Sequence, residues 1–355
     1  MISGAHGNLL DADVDALVNT VNTVGVMGKG IALQFRRAYP DMFKNYASAV
    51  RAADVQIGRM HVWATGQMSG PRYVINFPTK KHWRGASTMA FVESGLADLV
   101  RVIKELDITS IAVPPLGCGN GGLEWSQVEP VIRHALAELN EVDVLLYPPG
   151  ETPRAADMPT REDKPDMTAG RAALIAIMTG YASRSMEWPS LIESQKFMYF
   201  LQTAGEPLRL NYVKHHYGPY ADNLRHVLRV LEGHYISGFG DGSAPVQEAE
   251  PLEVLSGAED RARSVLAVHP ATRQRIARVL ELVDGFETAY GLELLASVHW
   301  TAQEDPAAAA DPAKAEGDVR SWSPRKGRMF TTDHIHTAWT VLHDRGWLTP
   351  QPARV

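Results

Sequence analysis

Residues 16–39 read ALVNTVNTVGVMGKGIALQFRRAY, and the fold turns on them. The run Ala16-Leu17-Val18-Asn19-Thr20-Val21 predicts a strand. Ile31, Phe35 and Ala38 recur at helical spacing, so Ile31 to Tyr39 predicts a helix that Pro40 ends. Between them lies Gly25-Val26-Met27-Gly28-Lys29-Gly30. Strand, glycine loop and helix N-terminus in series make an anion site. Glycines let backbone N–H groups approach a phosphate, and the helix dipole adds favourable potential. The loop is not a Walker A sequence, because Gly30 follows Lys29, and it lacks the GxGxxG spacing. Taken alone, it fits a tight turn and a phosphate cradle equally well.

The same alternation continues outward. Tyr73 to Phe77 predicts a strand stopped by Pro78, and Ala90 to Leu106 a helix burying Leu96, Leu99, Val100 and Ile103. Ser110 to Val113 reads as a buried strand, Val128 to Leu139 as a helix and Val142 to Tyr147 as a last strand. Alternating strands and helices predict an α/β layer sandwich.

Two further loops follow strands. Pro114 to Leu123 carries Gly117, Gly119, Gly121 and Gly122. Ligands of open α/β sheets bind at the carboxyl ends of strands. Two glycine loops there offer donors to both sides of a diphosphate. Pro78-Thr79-Lys80-Lys81-His82-Trp83-Arg84 reads either as a solvated basic loop or as the seat of a reactive lysine. A lysine amine reacts only when neutral, and burial or a neighbouring cation such as Lys81 lowers its pKa. Cys118 lacks a helper base nearby in sequence and reads as a small buried residue.

Length and charge set the frame. At 355 residues the chain exceeds the roughly 100–200 residues of one domain. Hydrophobic residues make up 45% and charged residues 21%, enough for ordinary cores. The net charge of −6 excludes a globally cationic nucleic-acid surface but not a local basic cleft. Residues 1–150 hold 13 Lys/Arg against 14 Asp/Glu, so the acidity sits in the second half. One cysteine excludes an intrachain disulfide framework and fits a reducing cytoplasm. The first residues lack the pattern of a signal peptide, and no apolar run is long enough for a transmembrane helix.

Pro148 to Met167 holds five prolines and no periodicity, which predicts an extended linker over 151–167. The expected domains are 1–150 and 168–355. Helices dominate from Thr168, at 171–178, 190–203, 221–231, 261–266, 272–283, 292–302 and 332–345. Thr301 to Pro324, rich in Ala, Pro and Asp, reads as a mobile loop. His215/His216 and Asp333/His334/His336 lack the i,i+4 spacing or cysteine partner of a metal site, so no metal is expected.

The loops of the first half, in their order, resemble a macrodomain. Gly7-Asn8-Leu9-Leu10 is similar to the first ligand-contacting turn, and Asn19-Thr20-Val21-Asn22 to the ribose-facing strand end. GVMGKGIALQFRRAY, residues 25–39, is the strongest match. Together they resemble the lysine-dependent branch, and within it the DarG family of antitoxins, over about residues 1–150. That resemblance implies a three-layer α/β/α sandwich followed by a mainly α-helical domain. It implies removal of ADP-ribose from thymine in single-stranded DNA, and neutralisation of a cognate DarT-type ADP-ribosyltransferase toxin. It places the catalytic lysine at Lys80, ahead of Lys81, and requires no cofactor. ADP-ribose contacts then fall on Gly7, Asn8, Leu9, Asn22, Val26, Met27, Gly28, Gly30, Leu116, Gly117, Cys118, Gly119, Asn120 and Gly121, with Asn22 orienting the distal ribose. Two positions depart from the pattern. Asn8 stands where macrodomains commonly carry an acid for the adenine amino group. Gly121 stands where a related hydrolase carries a catalytic aspartate.

In the second half, KFMYFLQ (residues 196–202 with Gln195 before them) followed by YGPY at 217–220 resembles a SocA-like antitoxin domain over about Thr168 to Phe239. Between Arg229 and Arg261 stand no Lys or Arg but seven acids: Glu232, Asp241, Glu248, Glu250, Glu253, Glu259 and Asp260. They read as a solvated acidic loop or as a surface that imitates the DNA backbone in the toxin's groove. Two other functions stay open at this point: a macrodomain hydrolase acting on protein side chains such as glutamate, and a non-catalytic ADP-ribose reader with a scaffold domain.

Overall fold

In the computed structural model, which describes residues 1–67, 69–150, 153–246 and 248–348, the Ala16–Val21 run is the centre of a sheet. Strands β1 (Ile2–Gly4), β2 (Ala16–Asn22), β3 (His61–Ala64), β4 (Tyr73–Lys80), β5 (Ser110–Val113) and β6 (Asp143–Leu146) order as β1-β6-β5-β2-β4-β3. All neighbours are parallel except the edge strand β3, antiparallel to β4. Helices α1 (Gly30–Ala38) and α2 (Pro40–Arg51) cover one face, and α3 (Met89–Glu105) and α4 (Trp125–Leu136) the other. The alternation along β2 decides this. Leu17 and Val21 pack with Phe35, Met42 and Tyr46, while Ala16 and Val18 pack with Leu96, Leu99 and Ile132. The α/β/α sandwich is therefore as expected.

Three local readings differ. Pro40 does not merely end α1: Tyr39 caps both helices and Pro40 occupies the first turn of α2, where its missing N–H is harmless. Pro78 does not stop β4, which runs on to Lys80. Pairing with β3 ends at Asn76, so a residue without an N–H is tolerated there. The short strands β1 and β3 were not evident from periodicity.

The chain divides into one unit of Met1–Asp163 with Gly240–Ala244 and a second of Lys164–Phe239 with the residues from Pro245 onward. The described part of the stretch expected as a linker, from 153 to 163, returns along the first unit instead of extending. Arg36 pairs with Glu162 at 3.0 Å, and the Arg161 amide donates to the Arg37 carbonyl at 2.7 Å. Gly240–Ala244 also belongs there: Arg37 donates to the Gly240 carbonyl and the Gln34 amide to the Asp241 carboxylate.

The second unit is helical: α5 (Ala169–Ser185), α6 (Leu191–Thr203), α7 (Leu224–Leu231), α8 (Ala258–Leu266), α9 (Pro270–Val283), α10 (Ala289–Glu304), α11 (Pro306–Ala310), α12 (Pro312–Trp322), α13 (Pro324–Met329) and α14 (Thr332–Asp344). Strands β7 (Tyr212–His215) and β8 (Gly218–Ala221) form a hairpin, and β9 (Ile236–Ser237) pairs with β10 (Glu253–Val254). The loop expected over Thr301–Pro324 is helical instead. Asp305, Asp311 and Ser323 each accept an N-terminal amide, and Pro306, Pro312 and Pro324 follow in the first turns, a repeated start signal. The two motifs of this half meet: the Lys196 ammonium donates to the Pro219 carbonyl at 2.8 Å, and Gln195 bonds both the carbonyl and the amide of Ala221. KFMYFLQ and YGPY thus clamp α6 to β8.

Candidate functional site

All four loops singled out in the first unit leave the carboxyl ends of parallel strands, at one edge of the sheet. Gly7, Asn8 and Leu9 follow β1; Asn22 ends β2 and leads to Val26, Met27, Gly28 and Gly30; Lys80 ends β4; Leu116 to Gly121 follow β5. A bulge between Val21 and Asn22 sets Asn22 opposite Lys80. Beyond it the Thr23 amide donates to the Lys80 carbonyl at 3.0 Å, and the Thr23 hydroxyl to the Lys81 carbonyl at 2.9 Å.

Asn22 has a more local task than expected. Its side-chain oxygen accepts from the amides of Val24 and Val26, and its amide donates to the Val26 carbonyl at 2.6 Å. The buried Tyr46 hydroxyl donates to the Asn22 carbonyl, and burial holds that phenol well above its ordinary range. Asn22 therefore closes the Gly25 loop, with Tyr46 of α2 behind it. In that loop Val26 faces solvent and Met27 is buried in the α1/α2 core. No side chain caps the start of α1, so its first amides are presented at the loop.

The two glycine loops meet. A Cβ built on Gly30, whose φ is +62°, would lie 3.0 Å from the Asn120 side-chain nitrogen. Lys80 joins them: its ammonium donates to the Asn120 carbonyl. Lys80 is buried, and this burial pushes its pKa down. Lys81 is exposed and turns away, its nitrogen 5.8 Å from the Phe91 ring centre. The site thus holds one buried lysine amine between two phosphate-type loops.

Gly121 is excluded sterically from carrying any side chain. A Cβ there would stand 2.1 Å from the Gly117 carbonyl oxygen and 2.5 Å from the Ser87 hydroxyl. The aspartate of a lysine–aspartate pair cannot be seated in this loop as built. We expect Gly121→Asp to disrupt the loop, because backbone atoms cannot yield as a flexible side chain would. Thermal unfolding of the variant checks this, and an unchanged midpoint would show that the loop re-forms.

The other expected contacts vary in burial. Leu116 and Gly117 are buried, Gly119 and Asn120 exposed. Burial, then Glu124, pushes the Cys118 thiol up to about 11, so it stays protonated near neutral pH. Asn8 caps the 3-10 turn Leu9–Asp11 by accepting from the Leu10 amide at 3.1 Å, and its own amide lies 3.4 Å from the Asp157 carbonyl. Leu9 is buried and Gly7 exposed. Sequence reasoning missed Ser87, Thr23 and Tyr46. The Ser87 amide donates to the Gly121 carbonyl at 3.0 Å, and Ser87 and Tyr46 are both buried. Tyr46 could have been found from Met42 four residues earlier on the same face of a helix opened by Pro40.

Among the described residues no group of three or more His, Cys, Asp or Glu is placed to hold a metal ion, and no helix is long and apolar enough to cross a membrane. Of the seven acids of the second half, Glu232 and Asp241 are buried. Glu248, Glu250, Glu253, Glu259 and Asp260 are exposed, the last two paired with Arg263.

Comparison with known proteins bears on this site. Residues 18–132 match the Macro domain family. A DNA ADP-ribosyl glycohydrolase of Thermus aquaticus is 47% identical over 99% of this chain and 95% of its own length. A DNA ADP-ribosyl transferase–DNA ADP-ribosyl glycohydrolase fusion protein of Thermosipho africanus is 33% identical over 42% of each chain. The solved macrodomain of Mycobacterium tuberculosis DarG is 58% identical, covers 42% of this chain and 99% of that one, and superposes with a TM-score of 0.42.

Proposed function

Since the chain belongs to the DNA ADP-ribosyl glycohydrolases, we propose that it acts through Lys80, releasing ADP-ribose from thymine in single-stranded DNA as the erasing half of a toxin–antitoxin pair. The observation that carries the assignment is the buried Lys80 amine, held by Asn120 where the Gly25–Gly30 and Gly117–Gly122 loops meet. The reaction breaks the bond from ribose C1 to the thymine nitrogen. Water supplies the hydroxyl to C1 and the proton to the base. In this reading the two loops hold the diphosphate on backbone amides, and Asn22 keeps the first loop in shape. A lowered pKa makes the neutral amine accessible, which suits Lys80 as a nucleophile that opens the ribose or as a base.

The second unit is the proposed toxin-binding half. A relative that joins transferase and glycohydrolase in one chain supports a transferase partner, and the exposed acids Glu248, Glu250 and Glu253 of the second unit suit a cationic one. A single cysteine fits a cytoplasmic protein.

A substrate panel tests the enzymatic assignment. Incubated with ADP-ribosylated single-stranded DNA and with a glutamate-linked ADP-ribosyl peptide, the protein is expected to release ADP-ribose from the DNA alone. Release only from the peptide would reassign it to protein side chains. ADP-ribose binding with no release from either would make it a reader.

A further inference from the structure

The first unit exposes few large apolar side chains. Among its described residues, apart from Met1, these are Val24 (43% exposed), Val26 (40%) and Trp83 (46%). All three stand beside Lys80. Val24 and Val26 lie on the loop that Thr23 ties to the carbonyls of Lys80 and Lys81, and Trp83 lies on the turn that follows them. Trp83 is also part of a stack. The His82 ring lies against it with centroids 5.4 Å apart and planes 29° from parallel, and the Arg84 guanidinium sits 4.5 Å from its centre. The turn is held by the Gly85 amide donating to the His82 carbonyl at 2.9 Å and the Arg84 amide to the His82 ring at 3.2 Å. Lys81, next in sequence to His82, adds an exposed positive charge.

A stabilised surface stack of imidazole, indole and guanidinium beside an exposed lysine has the composition of a single-strand binding platform. Unpaired bases stack on aromatic faces and on guanidinium planes, while neighbouring lysines follow the phosphates. ADP-ribose held in the glycine loops has no need of it. A strand that enters past Lys80 with its modified thymine does. We propose that His82, Trp83 and Arg84 form a stacking platform for the bases flanking the ADP-ribosylated thymine, so that the protein favours a strand over an isolated nucleoside. This rests on the DNA glycohydrolase assignment above and adds to it the recognition of the neighbouring nucleotides.

The test compares the full-length native protein with Trp83→Ala on two substrates, an ADP-ribosylated oligonucleotide and ADP-ribosylated thymidine. On the oligonucleotide, KM should rise about 10-fold or more with little change in kcat, in line with the loss of one base–aromatic stack. The loss on the nucleoside should be much smaller. Trp83→Phe, which keeps a ring, should recover most of the oligonucleotide effect. Equal losses on both substrates would overturn the proposal, placing Trp83 in the handling of ADP-ribose itself. No loss on either would also overturn it, leaving the stack to a protein partner. If the native protein cleaves neither substrate, the glycohydrolase assignment fails, which the variants do not affect.

Discussion

Lys80→Ala is expected to reduce hydrolysis of ADP-ribosylated single-stranded DNA by about 10²–10⁴-fold or more, the range for loss of a positioned proton-transfer or nucleophilic group. ADP-ribose affinity should change only a few-fold, because the backbone amides of the two loops remain. Lys80 links those loops through the Asn120 carbonyl, so ADP-ribose titration of the variant is the control for loop collapse. Lys80→Arg keeps the positive charge but cannot become neutral, and it is expected to fail almost as completely. The pH profile carries the sign. Burial lowers the Lys80 pKa from its ordinary 10.5, so the neutral fraction grows as pH rises through that lowered value. If the neutral amine is the active form, kcat/KM rises with pH and levels off below 10.5. A rate that falls over the same range would identify the ammonium as a proton donor instead. Unchanged activity in Lys80→Ala would remove the lysine from the mechanism.

The second large effect lies in the helical unit and concerns stability. Glu293 of α10 is buried and accepts two hydrogen bonds from Arg325, at 2.6 and 3.1 Å, and another from the fully buried Lys326. Lys326 also donates to the Ser297 hydroxyl at 3.0 Å. Burial alone would raise the Glu293 pKa, yet Arg325 and Lys326 outweigh it and hold the carboxyl below its usual range. Lys196, buried close by, is pushed down to about 7, chiefly by burial. Removing the carboxylate leaves cations in a dry interior, and breaking a buried pair from one side costs about 3–5 kcal/mol. We therefore expect Glu293→Ala to lower the unfolding free energy of the second unit by that amount in a urea titration. Replacing both partners, Glu293→Leu with Lys326→Met, should recover much of the loss, since no buried charge is then unpaired. Hydrolysis of ADP-ribosylated DNA, which we place on the first unit, should persist in Glu293→Ala, whereas toxin capture, on the proposal that the second unit performs it, should weaken with the fraction of that unit unfolded. A variant as stable as the native protein would show that Lys326 finds another partner.

Much of the site was legible because its elements are local. A glycine loop between an apolar strand and a helical run needs only about fifteen residues to be recognised, and Gly25–Tyr39 is such a stretch. The position of Lys80 followed from resemblance, but its setting did not. Pro78 was expected to end the strand, and the expectation failed because tolerance of a missing N–H depends on which neighbour strand is still paired there. The Asp-Pro starts of α11 and α12 were written in the sequence and read as loop, because Ala, Pro and Asp were weighed as composition instead of as cap and first-turn positions. Glu232 and Asp241 were counted in an acidic surface and are buried, each accepting a hydrogen bond, because run-based charge counts carry no information on burial.

The chain by itself determined the glycine loop between β2 and α1, the alternation of β4, β5 and β6 with the helices between them, and the chemical types at those strand ends. Those depend on backbone freedom, apolar spacing and capping within a few residues. Only the tertiary structure decided what the residues are to one another. Lys80 and Asn120 lie forty positions apart, and the bond between them exists because β4 and β5 both border β2. The bar on a side chain at Gly121 comes from Gly117 and Ser87 closing around it, and the joining of KFMYFLQ to YGPY comes from one buried ammonium meeting one carbonyl. Burial sets the local dielectric, and with it the charge that a lysine prefers. That property belongs to the packed interior and cannot be read from neighbours along the chain.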